Sequence, residues 1–286
     1  MFKVFADGTS NLPKEQAENV TMVPCHYTVD GEERIYDGNL ENFDFHEFYE
    51  GLKNGRTVKT SLINTYQFIE SFTPALKEGM DVIYVSMASG ISGTYQAAVT
   101  AAEELMEEFP GRVVRIIDSK TCGMGSGLQV MRAEELCIQG YDTTEAADIL
   151  NAEVPHWCSY FTVDDIGFLE KTGRVSHAVA TACALINLRP ILYGSDEATI
   201  QNSSIARGRK SSLKALLDKY KTKALDAADH IVAISHGDCL EDAMYLADMV
   251  KEAIAPKDII IVPHEPFSGC HVGPGMMGLF FYGSER

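Results

Sequence analysis

The sequence contains no hydrophobic run long enough to cross a membrane. The best candidate, AVATACALINL at 178–188, is shorter than the roughly 18 residues that a span requires and includes Asn187. The first ten residues, MFKVFADGTS, lack the apolar core of a secretory signal, so we expect a cytoplasmic protein. Hydrophobic residues make up 45% of the 286-residue chain, which is enough for a substantial core and predicts one large or two modest domains.

Paired cysteines are also absent. The seven cysteines are scattered along the chain, odd in number and never spaced as C-x-x-C. A disulfide framework needs denser pairing, and a structural zinc site needs paired ligands. We therefore expect reduced, mostly buried thiols and no metal site.

Positive charge is scarce. The 24 basic residues face 41 acidic ones, and the net charge of −17 opposes both phosphate backbones and anionic lipid surfaces. We expect neither a nucleic-acid nor a membrane partner. One segment differs, the strongly basic RGRKSSLKALLDKYKTK at 207–223. Two interpretations of it are open: a solvated helix face, or a docking surface for a negatively charged partner.

Several familiar catalytic and nucleotide-binding motifs are missing. There is no G-x-S-x-G nucleophile elbow. The segment GPGMMG (273–278) matches G-x-G-x-x-G, but only eight residues follow it, too few for a dinucleotide-binding βα unit. The segment GMGSG (123–127) lacks the lysine of a P-loop, so we expect its glycines to let a helix pack closely on its strand.

The first half of the chain alternates between short apolar runs and helical periodicity. Predicted strands lie at 2–6, 21–29, 81–87 and 112–118, with DGEER (30–34) as a turn, and predicted helices at 45–53, 65–76, 94–109, 127–139 and within 140–156. This alternation is typical of an α/β fold with a parallel sheet.

The second half is less regular. Predicted strands lie at 157–163, 189–194, 198–202, 229–237, 258–263 and 278–283. We place a domain boundary near 155, giving domains 1–155 and 156–286. The segment VSHAVATACALINL (175–188) is apolar on nearly every helical face, which predicts a buried helix whose small side chains leave space beside it.

Polar turns follow three of the predicted strands of the first half. They are Asp7–Ser10, Ser86–Thr94 and Asp118–Ser119. If these strands are neighbours, the turns share one edge of the sheet, where ligands bind in open α/β folds. Ser92 and Gly93 also open a helix, whose free N–H groups favour an anion. Ser92 can equally be a simple helix cap. A polar rim above an apolar interior suits a ligand with a charged head and an apolar body.

Nine motifs, in order along the chain, resemble those of the DegV family, whose members bind fatty acids. They are DGTSNLP (7–13), KTS (59–61), SGISGTYQ (89–96), IIDSKTC (116–122), FTVDDIGFLEKTGRVS (161–176), INLRPIL (186–192), ARGRK (206–210), HGD (236–238) and HVGPGMMGLFF (271–281). The resemblance implies two domains: an N-terminal three-layer α/β/α domain with a parallel sheet that carries the carboxylate-binding turns, and a C-terminal α/β domain with a mixed sheet that contributes an acyl-chain pocket.

The resemblance also assigns residues to a ligand site. It implies that Thr60 and Ser92 bind the fatty-acid carboxylate, with Ser61 and Gly93 beside them and His271 close to the head group. From the residues alone, a structural or surface role for His271 is favoured. The family's usual TSQPS-type stretch is TSLINTY here, so the loop after Ser61 is expected to differ in shape.

A partner protein follows from the same resemblance. It implies an ATP-dependent fatty-acid kinase that phosphorylates the bound carboxylate, with Arg174 and Arg207 on the partner-facing surface. We expect a monomeric carrier with no cofactor, no metal and no catalytic residue of its own. An alternative is a hydrolase or acyltransferase with Ser92 as nucleophile, His271 as base and Asp7 or Asp118 as orienting group. A third is a lipid-dependent regulator whose basic surface binds another protein.

Overall fold

A computed structural model describes residues 1–183 and 188–286. The chain divides into two compact units: Met1–Asn42 with Lys59–Val154, and Phe43–Val58 with Pro155–Arg286. The segment Phe43–Val58, which the sequence reading grouped with the first domain, belongs to the second unit. Within the described residues, no helix combines the length and the apolar character required to cross a bilayer.

Thirteen strands and ten α-helices lie in the described residues. The strands are β1 (Phe2–Asp7), β2 (Val20–Val23), β3 (Cys25–Val29), β4 (Glu32–Tyr36), β5 (Val58–Thr60), β6 (Asp81–Ser86), β7 (Val114–Asp118), β8 (Trp157–Thr162), β9 (Leu188–Gly194), β10 (Ile200–Arg207), β11 (Ile231–His236), β12 (Asp258–Pro263) and β13 (Met277–Tyr282). The helices are α1 (Phe45–Lys53), α2 (Thr65–Lys77), α3 (Thr94–Glu108), α4 (Met124–Ile138), α5 (Thr143–Glu153), α6 (Gly167–Lys171), α7 (His177–Cys183), α8 (Arg209–Lys223), α9 (Leu240–Ala253) and α10 (Pro266–Val272).

The first unit is a three-layer α/β/α structure. Its parallel sheet has the order β2-β1-β6-β7. On one face, Phe68 and Phe72 of α2 pack against Tyr84 of β6. On the other, Val130 of α4 and Leu150 of α5 join the cluster that includes the sheet's apolar side chains. Burial of both faces explains why these strands are almost continuously apolar, and it confirms the α/β prediction.

A small antiparallel sheet, β4-β3-β5, accompanies the parallel one. The prediction of one strand over 21–29 is wrong, because the run is interrupted at Pro24, which has no N–H to donate to a ladder. The predicted turn at DGEER is confined to Asp30 and Gly31, both with positive φ, and its last three residues begin β4.

The second unit contains a mixed six-stranded sheet of order β10-β9-β8-β13-β11-β12. Only β11 and β12 pair in parallel, while the other neighbours are antiparallel. Leu213 and Leu216 of α8 and Leu246 and Val250 of α9 form a core with the sheet. The short strand predicted at 198–202 extends to Arg207, because its residues pair with β9 along its length.

The helix predicted over 175–188 is less buried than its composition suggests. In α7, Ala180 is 2% exposed, but His177, Ala178 and Thr181 are exposed. The prediction of burial on every face is therefore wrong for these residues. Residues 184–187, which the prediction also assigned to this helix, lie outside the described part of the chain. The space predicted beside that part of the helix therefore lies outside it as well.

The glycines of GMGSG permit a close packing contact. Helix α4 begins at Met124, three residues before its predicted start, and therefore includes Gly127. A Cβ at Gly127 would lie 2.4 Å from the carbonyl oxygen of Ser10 in the turn after β1. Real Cβ atoms do not approach that closely, so only glycine fits here. The expected close packing at this segment is present, and the contact is with the turn after β1.

Candidate functional site

Three polar turns lie at one edge of the parallel sheet, as the sequence predicted. Strand β6 lies between β1 and β7, and all three run in the same direction. In the ladder, Ser86 at the end of β6 pairs with Asp118 at the end of β7. The carboxyl ends of these strands therefore bring the turns that follow them close together.

In the first turn, Asp7–Ser10, the polar side chains form hydrogen bonds within the turn and with Tyr84. Asp7 Oδ1 accepts bonds from the backbone N–H and the hydroxyl of Thr9, at 2.8 and 2.5 Å, and Asp7 Oδ2 accepts one from Tyr84. Ser10 Oγ donates to the Asp7 carbonyl oxygen at 2.8 Å. Burial raises the pKa of Asp7, against the opposing effect of these hydrogen bonds. The turn is buried, and its hydrogen bonds join the end of β1 to the neighbouring strand β6.

Asp118 connects the second turn to the third. Its carboxylate accepts hydrogen bonds from the Ser89 N–H at 3.0 Å and the Ser89 hydroxyl at 2.6 Å. The same carboxylate accepts a bond from the Lys120 N–H at 3.1 Å. Ser119 Oγ donates to the Thr121 carbonyl oxygen. Most hydroxyls that made the sequence of these turns conspicuous therefore hold the turns in place.

Ser92 occupies the turn that opens α3. Its Oγ accepts a hydrogen bond from the Thr94 N–H at 3.2 Å and donates one to Thr94 Oγ1 at 3.0 Å. Ser92 is half-buried, and Gly93 beside it is exposed. The N-cap of the 15-residue helix α3 is Gly93, so Ser92 lies one residue before the cap and bonds the N–H of the first helical residue instead of capping the helix itself.

The segment after β5 lies against this turn. The Ile63 N–H donates to Thr94 Oγ1 at 3.3 Å, and a Cβ at Gly93 would lie 3.2 Å from the Leu62 side chain. Thr60 ends β5, and the Ser61 N–H donates to the carbonyl oxygen of His26 at 3.0 Å. The structure therefore places Leu62 and Ile63, the residues directly after Thr60 and Ser61, against Gly93 and Thr94 at the start of α3, within the first unit.

The segment TSLINTY (60–66), which differs from the family's usual TSQPS-type stretch, has a local structural role. Asn64 caps α2, accepting a bond from the Gln67 N–H at 3.0 Å, and Gln67 in turn accepts one from the Asn64 N–H. Ile63 is 2% exposed, so it anchors the loop. This combination of a cap and a buried anchor fixes the backbone directly after Ser61.

His271 lies in the second unit, in the last turn of α10. Burial, together with the nearby positive charge of Arg174, lowers the pKa of His271 to about 4. The imidazole is therefore neutral near pH 7 and offers one donor and one acceptor nitrogen. Its assignment to the ligand remains a prediction.

The two arginines assigned to a partner surface have different surroundings. Arg174 is half-buried between α6 and α7, donates to the Thr172 carbonyl oxygen, and acts electrostatically on both His271 and Cys270. Arg207 is exposed at the end of β10.

A buried polar network supports α10, and sequence reasoning missed it. His264 Nδ1 lies 3.0 Å from Ser235 Oγ, and its Nε2 lies 2.8 Å from Ser268 Oγ. Glu265, fully buried, accepts bonds from the N–H groups of Phe267 and Ser268. Burial lowers the pKa of His264 to about 3, so this histidine is neutral in the folded protein near pH 7. Its position after β12 and before a short helix was the only available signal.

The geometry gives no support to the hydrolase alternative. The hydrogen bonds of Ser92 Oγ lie within its own turn, with the N–H and the hydroxyl of Thr94. The proposed orienting carboxylates bind other groups of the sheet edge: Asp7 accepts bonds from Thr9 and Tyr84, and Asp118 accepts bonds from Ser89 and Lys120. A serine nucleophile needs a base within hydrogen-bond reach.

Known proteins of the same family match the whole chain. A sequence profile described as the DegV family of uncharacterised proteins matches residues 1–284. A DegV domain-containing protein of Clostridium perfringens is 31% identical over 286 residues, which cover 100% of this chain and 98% of the relative.

Solved structures share the fold. A DegV family protein from Thermus thermophilus, described by its fatty-acid binding, has a TM-score of 0.88 at 25% identity and 99% coverage of both chains. The Streptococcus pneumoniae Fatty Acid Kinase (Fak) B3 protein, solved loaded with linoleic acid, has a TM-score of 0.84 at 21% identity and 99% coverage of both chains.

Proposed function

Because the chain belongs to the DegV family, we propose that it binds a long-chain fatty acid and holds the carboxylate at the Thr60–Ser61 and Ser92–Gly93 segments. The observation that carries the proposal is the contact between the start of α3 and the residues directly after Thr60 and Ser61. The bond from the Ile63 N–H to Thr94 Oγ1 places the loop after β5 against the N-terminus of α3. The hydroxyl-bearing residues Thr60, Ser61 and Ser92 each lie within a few residues of this contact at the positive end of a helix, and hydroxyl donors together with a helix N-terminus suit a carboxylate.

The acyl tail and the head group have different roles in this proposal. Each buried methylene contributes about 0.8 kcal/mol, so a tail of about fourteen methylenes offers on the order of 11 kcal/mol before ordering costs. A hydrogen bond to the carboxylate adds roughly 1.5–3 kcal/mol. The tail therefore dominates affinity, while Thr60 and Ser92 orient the carboxylate. The internal apolar tunnel that would hold the tail remains a prediction.

The protein acts in this proposal as a carrier, and a separate ATP-dependent fatty-acid kinase performs the chemistry. A carboxylate oxygen attacks the γ-phosphorus of ATP, the bond from that phosphorus to ADP breaks, and an acyl phosphate forms. The kinase must approach a chain of net charge −17 with a negatively charged nucleotide. Arg207, exposed beside the basic helix α8, offsets that repulsion locally.

The test begins with the purified protein. We expect organic extraction followed by mass spectrometry to release an intact fatty acid in about equimolar amount, and delipidated protein to take up ¹³C-labelled oleate. In the Thr60→Ala/Ser92→Ala double variant, lipid occupancy should persist while phosphorylation by the kinase declines, because the tail supplies most of the affinity.

Two results would overturn the proposal. One is a folded wild-type protein that neither carries nor takes up a fatty acid. The other is hydrolysis of acyl esters by the purified protein without a second component, which would favour the hydrolase alternative. An empty but folded double variant would contradict the division of roles between tail and head group.

A further inference from the structure

Helix α1 is joined to the start of α10 by one buried tyrosine of the second unit. Tyr49 is 1% exposed, and its hydroxyl donates to the carbonyl oxygen of His264 at 2.8 Å, two residues before α10 begins. Burial raises the pKa of Tyr49 well above its ordinary value, so the hydroxyl keeps its proton and remains a donor. The carbonyl oxygen of a buried residue is thereby satisfied from a distant part of the chain.

The same side chain lies against the middle of α10. A Cβ at Gly269 would lie 2.6 Å from the Tyr49 hydroxyl oxygen, which is closer than real Cβ atoms approach other atoms. Glycine at this position therefore leaves the space that the tyrosine fills. Cys270 belongs to the apolar cluster that α1 forms around Tyr49. These contacts end one residue before His271, in the last turn of α10.

We propose that Tyr49 is a positioning residue that holds α10 so that the His271 imidazole stays at the head group of the bound fatty acid. The inference rests on the proposed function and on the predicted place of His271 beside the carboxylate. Helix α10 has only seven residues, and a helix of that length depends on tertiary contacts for its stability. Tyr49 supplies such contacts at the residues that precede His271, so it acts through α10 and not on the ligand.

The first measurement is the pKa of His271 in the ligand-free protein, from an NMR titration of the histidine rings assigned with His271→Ala. Burial, together with Arg174, lowers this pKa to about 4. Tyr49→Phe removes the bond to the His264 carbonyl oxygen, loosens α10 and admits water to the imidazole. We expect the pKa of His271 to rise by about one unit, so that at pH 5 about half of the rings are protonated instead of about one-tenth. An unchanged pKa overturns the inference.

Tyr220→Phe is the matched control. Tyr220 is also 1% exposed in the second unit, and its hydroxyl donates to the carbonyl oxygen of Ile254 at 2.9 Å, at the end of α9. The control removes the same type of bond away from α10, so His271 should keep its wild-type pKa. Equal shifts in both variants would indicate general loosening of the unit and would overturn a specific role for Tyr49.

Gly269→Ala tests the same contact from α10. The added Cβ displaces the Tyr49 hydroxyl, so the pKa of His271 should shift in the same direction as in Tyr49→Phe. Thermal unfolding checks that each variant is folded, and Gly269→Ala replaces Tyr49→Phe if the latter does not fold.

The second measurement shows whether the effect reaches the ligand. It is the ¹³C chemical shift of carboxyl-labelled oleate in the loaded protein at pH 7. Tyr49→Phe should change this shift in the wild-type background and add nothing in the His271→Ala background, because its effect passes through His271. Additive changes overturn the inference, and so does a bound resonance that His271→Ala leaves unshifted.

Failure of the proposed function gives a different result. A folded wild-type protein with no resonance from bound oleate overturns fatty-acid binding, and this inference with it. A clear wild-type resonance that is the same in Tyr49→Phe overturns the role of Tyr49 alone.

Discussion

Arg207 and Arg209 lie two residues apart in the chain but have different surroundings. Arg209 Nε lies 2.7 Å from Asp242 Oδ2, and its Nη1 lies 2.7 Å from the Gly275 carbonyl oxygen and 3.3 Å from Asp164 Oδ1. Arg207, two residues earlier, is exposed. Arg209 therefore joins α8 to α9 and the Gly275 loop, whereas Arg207 is the better candidate for a partner contact.

We predict that Arg207→Glu weakens kinase-dependent formation of acyl phosphate by about tenfold at low salt, because reversing a surface charge slows association with a negatively charged partner. Lipid content should be unchanged. The measurement is acyl-phosphate production by the organism's own fatty-acid kinase at several salt concentrations.

Lys221→Glu is the control for Arg207→Glu. Lys221 is also exposed but lies in the last turn of α8, so the variant makes the same charge change elsewhere on the basic segment. Equal losses in both variants would indicate a general field effect, and unchanged turnover in Arg207→Glu would contradict a partner contact at this residue.

At the level of single residues, the sequence predicted which segments carry the polar side chains but not the hydrogen bonds among them. Ser92 was recognisable as both a cap and a ligand candidate. The bond from the Ile63 N–H to Thr94 Oγ1 was not predictable, because the two residues lie 31 positions apart in the chain. A bond between two turns depends on the sheet order, which local pattern does not determine.

Secondary elements were predictable where periodicity was strong. Helix α1 covers the predicted residues 45–53, and α3 begins at the predicted Thr94. The errors lie where tertiary packing decides: Pro24 divides one apolar run into two strands, and α7 exposes a face that composition alone predicted to be buried. Composition records how apolar a helix is but not whether a neighbour covers each side.

Helix α10 is held by a buried carboxylate. Glu265 caps its N-terminus, with the N–H groups of Phe267 and Ser268 at 2.5 and 3.0 Å from its oxygens. We predict that Glu265→Ala lowers the free energy of unfolding by about 2–4 kcal/mol, because it leaves buried donors without an acceptor. Urea denaturation measures the loss.

Asp44→Ala is the matched comparison for Glu265→Ala. Asp44 caps α1 in the same unit, accepting a bond from the Glu47 N–H at 2.9 Å, but at an exposed site where water can replace it. We expect a loss of about 1 kcal/mol there. Equal losses in the two variants would contradict the importance of burial at α10.

For the molecule as a whole, burial of neutral histidines makes stability depend on pH. Burial lowers the pKa of His264 to about 3 and that of His271 to about 4, and it also lowers that of His236. The unfolded chain, in which histidine titrates near pH 6.5, therefore binds more protons than the folded chain below that pH. Asp7 acts in the opposite direction, because burial raises its pKa and favours the protonated folded form.

We predict that the free energy of unfolding falls as the pH decreases below about 6.5, by up to about 1.4 kcal/mol per pH unit for each buried neutral histidine. His264→Gln removes one titrating group, so its slope between about pH 6 and pH 4.5 should be shallower by about that amount, whatever its stability at neutral pH. The measurement is a series of urea denaturation curves across this range. Parallel slopes in His264→Gln and the wild type would mean that protonation of His264 does not contribute to acid unfolding.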